Sequence, residues 1–277
     1  MRAGLVQLTA SDLPHENLPV TEARVREAAA AGAELVLTPE VTNIVSTSRT
    51  HQRAHLHHEA DDPTLARLRT VAAELEVWLL IGSLALRTDD PEGRFANRSL
   101  LVTPGGEIAA RYDKIHMFDV DISETESYRE SSGFRPGDRM VLAETPWGGL
   151  GMTVCYDMRF PHLYRDLAKA GARILSVPAA FSPVTGAAHW ETLLRARAIE
   201  TGCFVLAPAQ TGQHAASRGK ARETHGHSLA VGPWGEVLAD GGTAPGVTFV
   251  DLDMDAVDRA RRRVPAIGHD RPYDGAP

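Results

Sequence analysis

"AGAELVLTP" runs from Ala31 to Pro39, and "AGARILSVP" runs from Ala170 to Pro178. Each closes a helical stretch on Ala-Gly-Ala, continues as an apolar strand, and reaches a proline eight positions after its first alanine. Working outward, "TEARVREAAAAG" reads as a helix stopped by Gly32, and "DPTLARLRTVAAELEV" as a helix with Pro63 in its first turn, leading into the strand "WLLIGSLAL". "AGLVQL" opens the first half as a strand and "GGLGMTV" opens the second. A further pair agrees: "VTPGGEI" from Val102 and "VGPWGEV" from Val231 are hairpins sharing Val-x-Pro-x-Gly-Glu-apolar. Two copies of one βα unit, packed sheet to sheet with helices outside, predict an internally duplicated α/β fold, a four-layer α-β-β-α sandwich. We expect one domain over residues 1–277, with an extended Pro- and Gly-rich C-terminal tail from about residue 264. The stretch "VDISETESYRESSGFRPGD" between the halves reads as a polar loop.

Composition excludes several classes. The 277 residues are 43% hydrophobic and 23% charged, ordinary for a compact soluble domain. No apolar run is long enough to span a bilayer, and "MRAGLVQLTASD" turns polar too soon for a secretory signal, so a cytoplasmic location and no membrane partner are expected. The net charge of −7 argues against a nucleic-acid surface; "RARRR" at Arg259–Arg263 reads as the solvated face of a late helix. Two cysteines, Cys155 and Cys203, cannot make a disulfide framework and stay as thiols in a reducing compartment.

Three polar residues stand where strands end, the place open α/β sheets keep for ligands. Glu40 follows "ELVLTP", Lys114 closes the strand in "RYDKIHMFD", and Cys155 closes "GLGMTV". Singly, each has a bland reading: a helix cap, a solvated lysine, a small apolar filler. Together they supply a carboxylate, an ammonium and a thiol.

The segments "LTPE" (37–40), "RYDKIHMFD" (111–119) and "CYDMRFP" (155–161) resemble the three signatures of the nitrilase superfamily, the carbon–nitrogen hydrolases. "YRES" (128–131), "AHWETLLRARAIET" (188–201) and "GHSLAVGPWGEVLA" (226–239) extend the resemblance from Arg2 to about Tyr273. The resemblance implies a site with no metal and no organic cofactor, in which Cys155 is the nucleophile, Glu40 the general base and acid, Lys114 the stabiliser of the oxyanion, and Glu130 a second glutamate orienting Lys114. It implies a small-molecule amide as substrate. A thiol with a pKa of about 8.5 needs a neighbouring base or cation to attack at neutral pH. A carboxylate that also acts as acid leads us to expect a raised Glu40 pKa. The backbone N–H of Tyr156 is expected to assist Lys114. "PAAFSPVTGAAHWETLLRARAIETGCFVLAPAQTGQH" is most similar to the deaminated glutathione amidase branch, whose reaction releases 2-oxoglutarate and Cys-Gly, with ω-amidase activity on 2-oxoglutaramate, or hydrolysis of another small amide, nitrile or N-carbamoyl compound, as the alternatives.

Phe118, Phe181, Thr185 and Trp190 are candidate pocket walls, and Arg159 a candidate partner for a substrate carboxylate; Trp190 has an equal claim to the core, and Arg159 to a structural anchor. The loop over residues 214–225 is longer than the family pattern and bears on substrate choice. Two other readings stand beside this one. His51 and His55 in "HQRAHLHHEA" have a spacing that binds zinc on a helix, although a polar solvated helix explains them as well. A non-catalytic scaffold is the other, opposed by the joint presence of all four site residues. From the resemblance a homodimer is expected, with the helix near His162 and "AHWETLLRARAIE" at the contact.

Overall fold

The computed structural model describes residues 1–123 and 126–275. Its first half runs β1 (Arg2–Gln7), α1 (Pro14–Ala30), β2 (Leu35–Leu37), α2 (Arg49–His55), α3 (Pro63–Leu75), β3 (Trp78–Leu86), β4 (Ala96–Val102) and β5 (Ile108–Asp113). A hairpin follows, β6 (Asp119–Ser123) with β7 (Glu126–Arg129), and then β8 (Val141–Thr145). The second half continues through β9 (Gly148–Met152), α4 (Pro161–Lys169), β10 (Ala172–Ser176), α5 (Pro183–Thr201) and β11 (Phe204–Ala207). It closes with β12 (Thr211–His214), β13 (Arg222–His225), β14 (Leu229–Val231), β15 (Val237–Asp240), β16 (Gly246–Asp251) and α6 (Asp255–Arg263).

The duplication expected from the paired Ala-Gly-Ala segments is visible in the sheets. One sheet has the order β16-β1-β2-β3-β4-β5 and the other, read from its corresponding edge, β8-β9-β10-β11-β14-β15. In both, three parallel strands (β1 to β3, and β9 to β11) are flanked by antiparallel neighbours on either side. β2 and β10, the strands of the two repeats, occupy the same place in their sheets. The apolar run Leu35-Val36-Leu37 divides by the two-residue period of a strand. Leu35 and Leu37 face the other sheet with Leu5 and Leu80 against Leu150 and Met152, whereas Val36 packs on the α1 and α3 side with Val25, Leu68 and Ile81. Burial on both faces explains why the strand carries no polar alternation.

Where the repeats end, the two sheets crowd one another. A Cβ on Gly82 would lie 1.9 Å from the Thr38 carbonyl oxygen, 2.5 Å from that of Pro39 and 2.6 Å from Pro178 Cβ. The two prolines that close the repeats thus meet around one glycine, and the residues that follow them are brought to one place.

Several local expectations need correction. The polar loop over 120–138 contains the β6–β7 hairpin and a 3-10 turn at Glu130–Ser132; its positions 124–125 lie outside the described residues. The long loop at 214–225 is the β12–β13 hairpin, and its tip is tied down. Ser217 donates through its backbone N–H and hydroxyl to Asp12 Oδ2 at 2.8 and 2.9 Å, and Thr47 Oγ1 donates to the Lys220 carbonyl at 2.9 Å. The histidine segment is not a solvated helix: α2 ends at His55, and His51 is buried with Nε2 2.8 Å from the Asp12 carbonyl. Arg261 in "RARRR" is not solvated either, since it donates to the carbonyls of Thr201 and Ala172 and so anchors α6. The tail after residue 264 is extended only in part: a 3-10 turn at Ala266–Gly268 is followed by Asp270, which pairs with Arg165 and Lys169 of α4; residues 276–277 lie outside the description.

Candidate active site

Glu40, Lys114 and Cys155 converge as their strand-end positions predict. All three are nearly inaccessible, at 4%, 2% and 7% exposure. Glu40 follows Pro39 beyond β2. The next residue, Val41, holds a left-handed φ of 47°, costly for a β-branched side chain, and is kept there by a 2.8 Å bond from its N–H to Ser83 Oγ. Lys114 leaves β5 with its N–H on the Asn97 carbonyl at 2.9 Å. Its Nζ donates to Glu40 Oε1 at 2.9 Å and to the two Glu130 oxygens at 3.0 and 2.9 Å. Asn97 Nδ2 links the same two carboxylates, at 2.9 Å from Glu40 Oε1 and 3.3 Å from Glu130 Oε1. The second Glu40 oxygen accepts from the Ala180 N–H at 2.8 Å, and one Glu130 oxygen accepts from the Phe118 N–H at 2.6 Å.

Cys155 sits on an elbow between β9 and a 3-10 turn at Cys155–Arg159, with φ at 50°. A non-glycine residue in that region costs about 1–3 kcal/mol and persists only where its surroundings hold it. Here Asp157, fully buried, takes the Val154 N–H at 2.8 Å, the Tyr112 hydroxyl at 2.6 Å and the His116 N–H at 3.0 Å, while the Cys155 N–H bonds the Pro178 carbonyl at 2.9 Å. One carboxylate therefore fixes the thiol's elbow to the segment that carries Lys114. The first bond of the 3-10 turn is Asp157 N–H to the Val154 carbonyl, which leaves the Tyr156 N–H beside the thiol without an acceptor inside the turn.

The charges settle into a definite resting state. Burial opposes ionisation of Glu40, but Lys114, with smaller contributions from Arg222 and the Cys155 thiol, outweighs it and holds the carboxyl below its usual range. Burial likewise opposes charge on Lys114, and Glu130 and Glu40 overcome it and raise its pKa. The Cys155 thiol is pushed up, first by burial and next by Glu40, against the pull of Lys114. At neutral pH the set is carboxylate, ammonium and neutral thiol, the proton staying on sulfur with an ionised carboxylate ready to receive it. The expectation of a raised Glu40 pKa is therefore overturned: a carboxylate flanked by a buried ammonium stays ionised until a proton is delivered to it.

These groups open into a cavity of about 740 Å³. Phe118, Tyr156, Phe181 and Thr185 line it as expected; the Phe118 ring packs 5.0 Å from that of Tyr156. Trp190 and Arg159 do not line it. Trp190 is 1% exposed behind Phe181 and spends its indole N–H on the His227 carbonyl at 2.8 Å, so it belongs to the core. The Arg159 guanidinium is taken up by the rings of Tyr156 and Phe181, at 5.7 and 5.5 Å, and by His189 Nδ1 at 3.2 Å. Asn97, Asp157 and Arg222 escaped the sequence reading. Asn97 and Asp157 lie inside quoted or neighbouring segments but have no chemistry without their partners. The only signal for Arg222 was the length of its loop. Among the described residues no group of three or more His, Cys, Asp or Glu is placed to hold a metal ion.

Such a set can acylate and deacylate a thiol: a nucleophile with an ionised carboxylate to take its proton, a cation beside both, and a backbone N–H at the nucleophile's own turn. Comparison with known proteins agrees with that chemistry. Residues 2–262 match the family described as Carbon-nitrogen hydrolase. The chain is 41% identical over 268 residues to the deaminated glutathione amidase of Yersinia enterocolitica, covering 96% of this chain and 92% of that one. It is 38% identical over 269 residues to the deaminated glutathione amidase of Homo sapiens, covering 96% and 81%. Among solved structures it superposes on the C. elegans NitFhit protein with a TM-score of 0.88 and 34% identity, covering 98% of this chain and 65% of that longer one. It superposes also on a mutant of the amidase from Nesterenkonia sp. AN1 in which acrylamide has undergone Michael addition at the active-site cysteine, with a TM-score of 0.77, 27% identity and 96% and 98% coverage.

Proposed function

We propose that this chain, which belongs to the carbon–nitrogen hydrolase family, is an amidase that hydrolyses deaminated glutathione to 2-oxoglutarate and Cys-Gly through a thioester on Cys155. The observation that carries the chemistry is the buried Glu40–Lys114 contact of 2.9 Å, with the Cys155 thiol near enough to both that Glu40 pushes its pKa up and Lys114 pulls it down. The substrate rests on the two relatives that share about two fifths of its residues across nearly the whole chain.

Cys155 Sγ attacks the amide carbonyl carbon as its proton passes to Glu40. The carbonyl oxygen becomes an oxyanion that Lys114 and the Tyr156 N–H stabilise, a role typically worth about 3 kcal/mol per donor. Collapse breaks the C–N bond, and the leaving amine takes the proton from Glu40. Glu40 then takes a proton from water, whose oxygen attacks the thioester; the second collapse releases the acid, and the proton returns to sulfur. Glu40 serves as acid only after serving as base, so its low resting pKa suits the cycle. Glu130 and Asn97 act on Lys114 and Glu40 as positioning residues.

Release of 2-oxoglutarate from deaminated glutathione by the purified protein, followed enzymatically, is the test. Absence of 2-oxoglutarate while an N-carbamoyl compound or a nitrile is turned over would move the chain to another branch of the family. The same reading extends to a single catalytic domain spanning 1–277, a cytoplasmic site of action and a homodimer. Two free thiols, one of them the nucleophile, suit a reducing compartment. Val184 and Ile199 on α5, 60% and 59% exposed, support a partner surface on that helix.

A further inference from the structure

We propose that Arg222 is the residue that grips the carboxylate on the acyl half of the substrate and so selects ω-amides of dicarboxylic acids; the inference rests on the amidase reading above and deepens it. The acyl half of deaminated glutathione carries a carboxylate four carbon–carbon bonds from the carbonyl that Cys155 attacks. Taking that anion into a buried site requires a cation with idle donors. Five basic side chains line the cavity: Arg49, Lys114, Arg129, Lys220 and Arg222. Lys114 is committed to Glu40 and Glu130. Arg129 is clasped by both oxygens of Asp121. Arg49 lies flat against Gly133 and donates to the Ser132 hydroxyl at an exposed position, and Lys220 belongs to the anchored hairpin tip beside Thr47.

Arg222 differs from Lys114 and Arg129 in having no carboxylate within ion-pairing distance among the described residues, and from all four in having a buried Nε without a hydrogen-bond partner there. Its one side-chain hydrogen bond among the described residues goes from Nη2 to the carbonyl of Ala180, and the N–H of that same residue donates to Glu40 at 2.8 Å. The guanidinium is therefore one residue removed from the proposed base, yet its Nε and Nη1 make no hydrogen bond among the described residues. Burying an unpaired polar N–H is costly, and a site that leaves one idle is built for a ligand that will use it. Arg222 opens β13, whose hairpin is pinned to Asp12 and Thr47, so the donor is held on a rigid element. The Tyr128 ring lies 5.9 Å from the guanidinium carbon and supports its face.

The test compares three substrates, deaminated glutathione, glutaramate and uncharged pentanamide, with wild type, Arg222→Met, Arg222→Lys and Arg159→Met. Wild type is expected to prefer glutaramate over pentanamide. Arg222→Met should raise KM for both anionic substrates about 10- to 100-fold, the range for losing a charged hydrogen-bond partner. Its turnover of pentanamide should fall far less, by the part that Arg222 contributes to keeping Glu40 ionised, and an unchanged melting midpoint shows that the variant is folded. Arg222→Lys should fall between, keeping the charge and losing the fork, and Arg159→Met should match wild type. If wild type rejects deaminated glutathione but prefers glutaramate in an Arg222-dependent way, the substrate named above fails and this assignment stands. Equal treatment of glutaramate and pentanamide by wild type overturns it without recourse to any variant, as does a parallel loss of both in Arg222→Met.

Discussion

The two cysteines separate what a thiol's neighbours do from what its burial does. Both are buried and both have raised pKa values, yet only Cys155 has a carboxylate to receive its proton. Cys203 sits 3.2 Å from the Ala172 carbonyl with Arg261 Nη2 at 3.0 Å from its sulfur, a packing position. Cys155→Ser should lower kcat by more than about a thousandfold, because a hydroxyl ionises far less readily in the same site. Cys203→Ser should retain most activity in the same assay; equal losses in two folded variants would remove Cys155 from its role. The direction of the Glu40 shift gives a pH prediction. A carboxyl held below its usual value stays ionised as pH falls, so kcat/KM should be level between pH 7 and about 5.5, and its acid limb should lie below that. A limb centred near pH 6.5 would mean the carboxyl is raised. This direction was not legible in the sequence, since it depends on which of burial and Lys114 prevails, and that is settled by a contact between residues far apart in the chain. That Glu40, Lys114 and Cys155 form one set was legible from their places just after strands taken together with the family resemblance, since each position alone has a bland reading.

At the scale of elements, the repeated strands and helices were readable from local pattern: "WLLIGSLAL" is β3 from end to end, and Asp62 caps α3 through the Leu65 N–H at 2.8 Å just before Pro63. The β6–β7 and β12–β13 hairpins were not, because their strands are four or five residues long, polar, and defined by pairing with each other rather than by an apolar face. β8 and β16 were missed for a related reason: each is an edge strand whose place in a sheet comes from a partner, and β16 pairs with β1 from the opposite end of the chain. Gly82 is where element packing bears most directly on the site. Gly82→Ala would drive a methyl into the Thr38 and Pro39 carbonyls, so we expect a loss of about 3 kcal/mol or more and a melting midpoint lowered by roughly 5 °C or more. Because Pro39 precedes Glu40, activity should fall further than the folded fraction does. A thermal scan with an unchanged midpoint would contradict the close packing described.

At the scale of the whole molecule, duplication explains why the site is where it is. Two equivalent strands, β2 and β10, are each followed two residues on by a proline, Pro39 and Pro178; Glu40 follows the first, and the Pro178 carbonyl holds the Cys155 elbow. The buried set of Glu40, Lys114, Glu130 and Cys155 is thus assembled across the interface between halves, and neither half contains all of it. The homodimer reading belongs to this scale too: light scattering at micromolar concentration should return twice the chain mass of 29.9 kDa, and a mass equal to one chain would refute it. The central claim is that Cys155 carries the acyl group of a small amide. Glu40→Gln enzyme, slow in both half-reactions, is to be mixed with deaminated glutathione and analysed by intact mass and peptide mapping. The account predicts a 2-oxoglutaryl adduct on the peptide containing Cys155, absent when Cys155→Ser is added; product formed by wild type with no adduct in any variant, or an adduct on another residue, would contradict it.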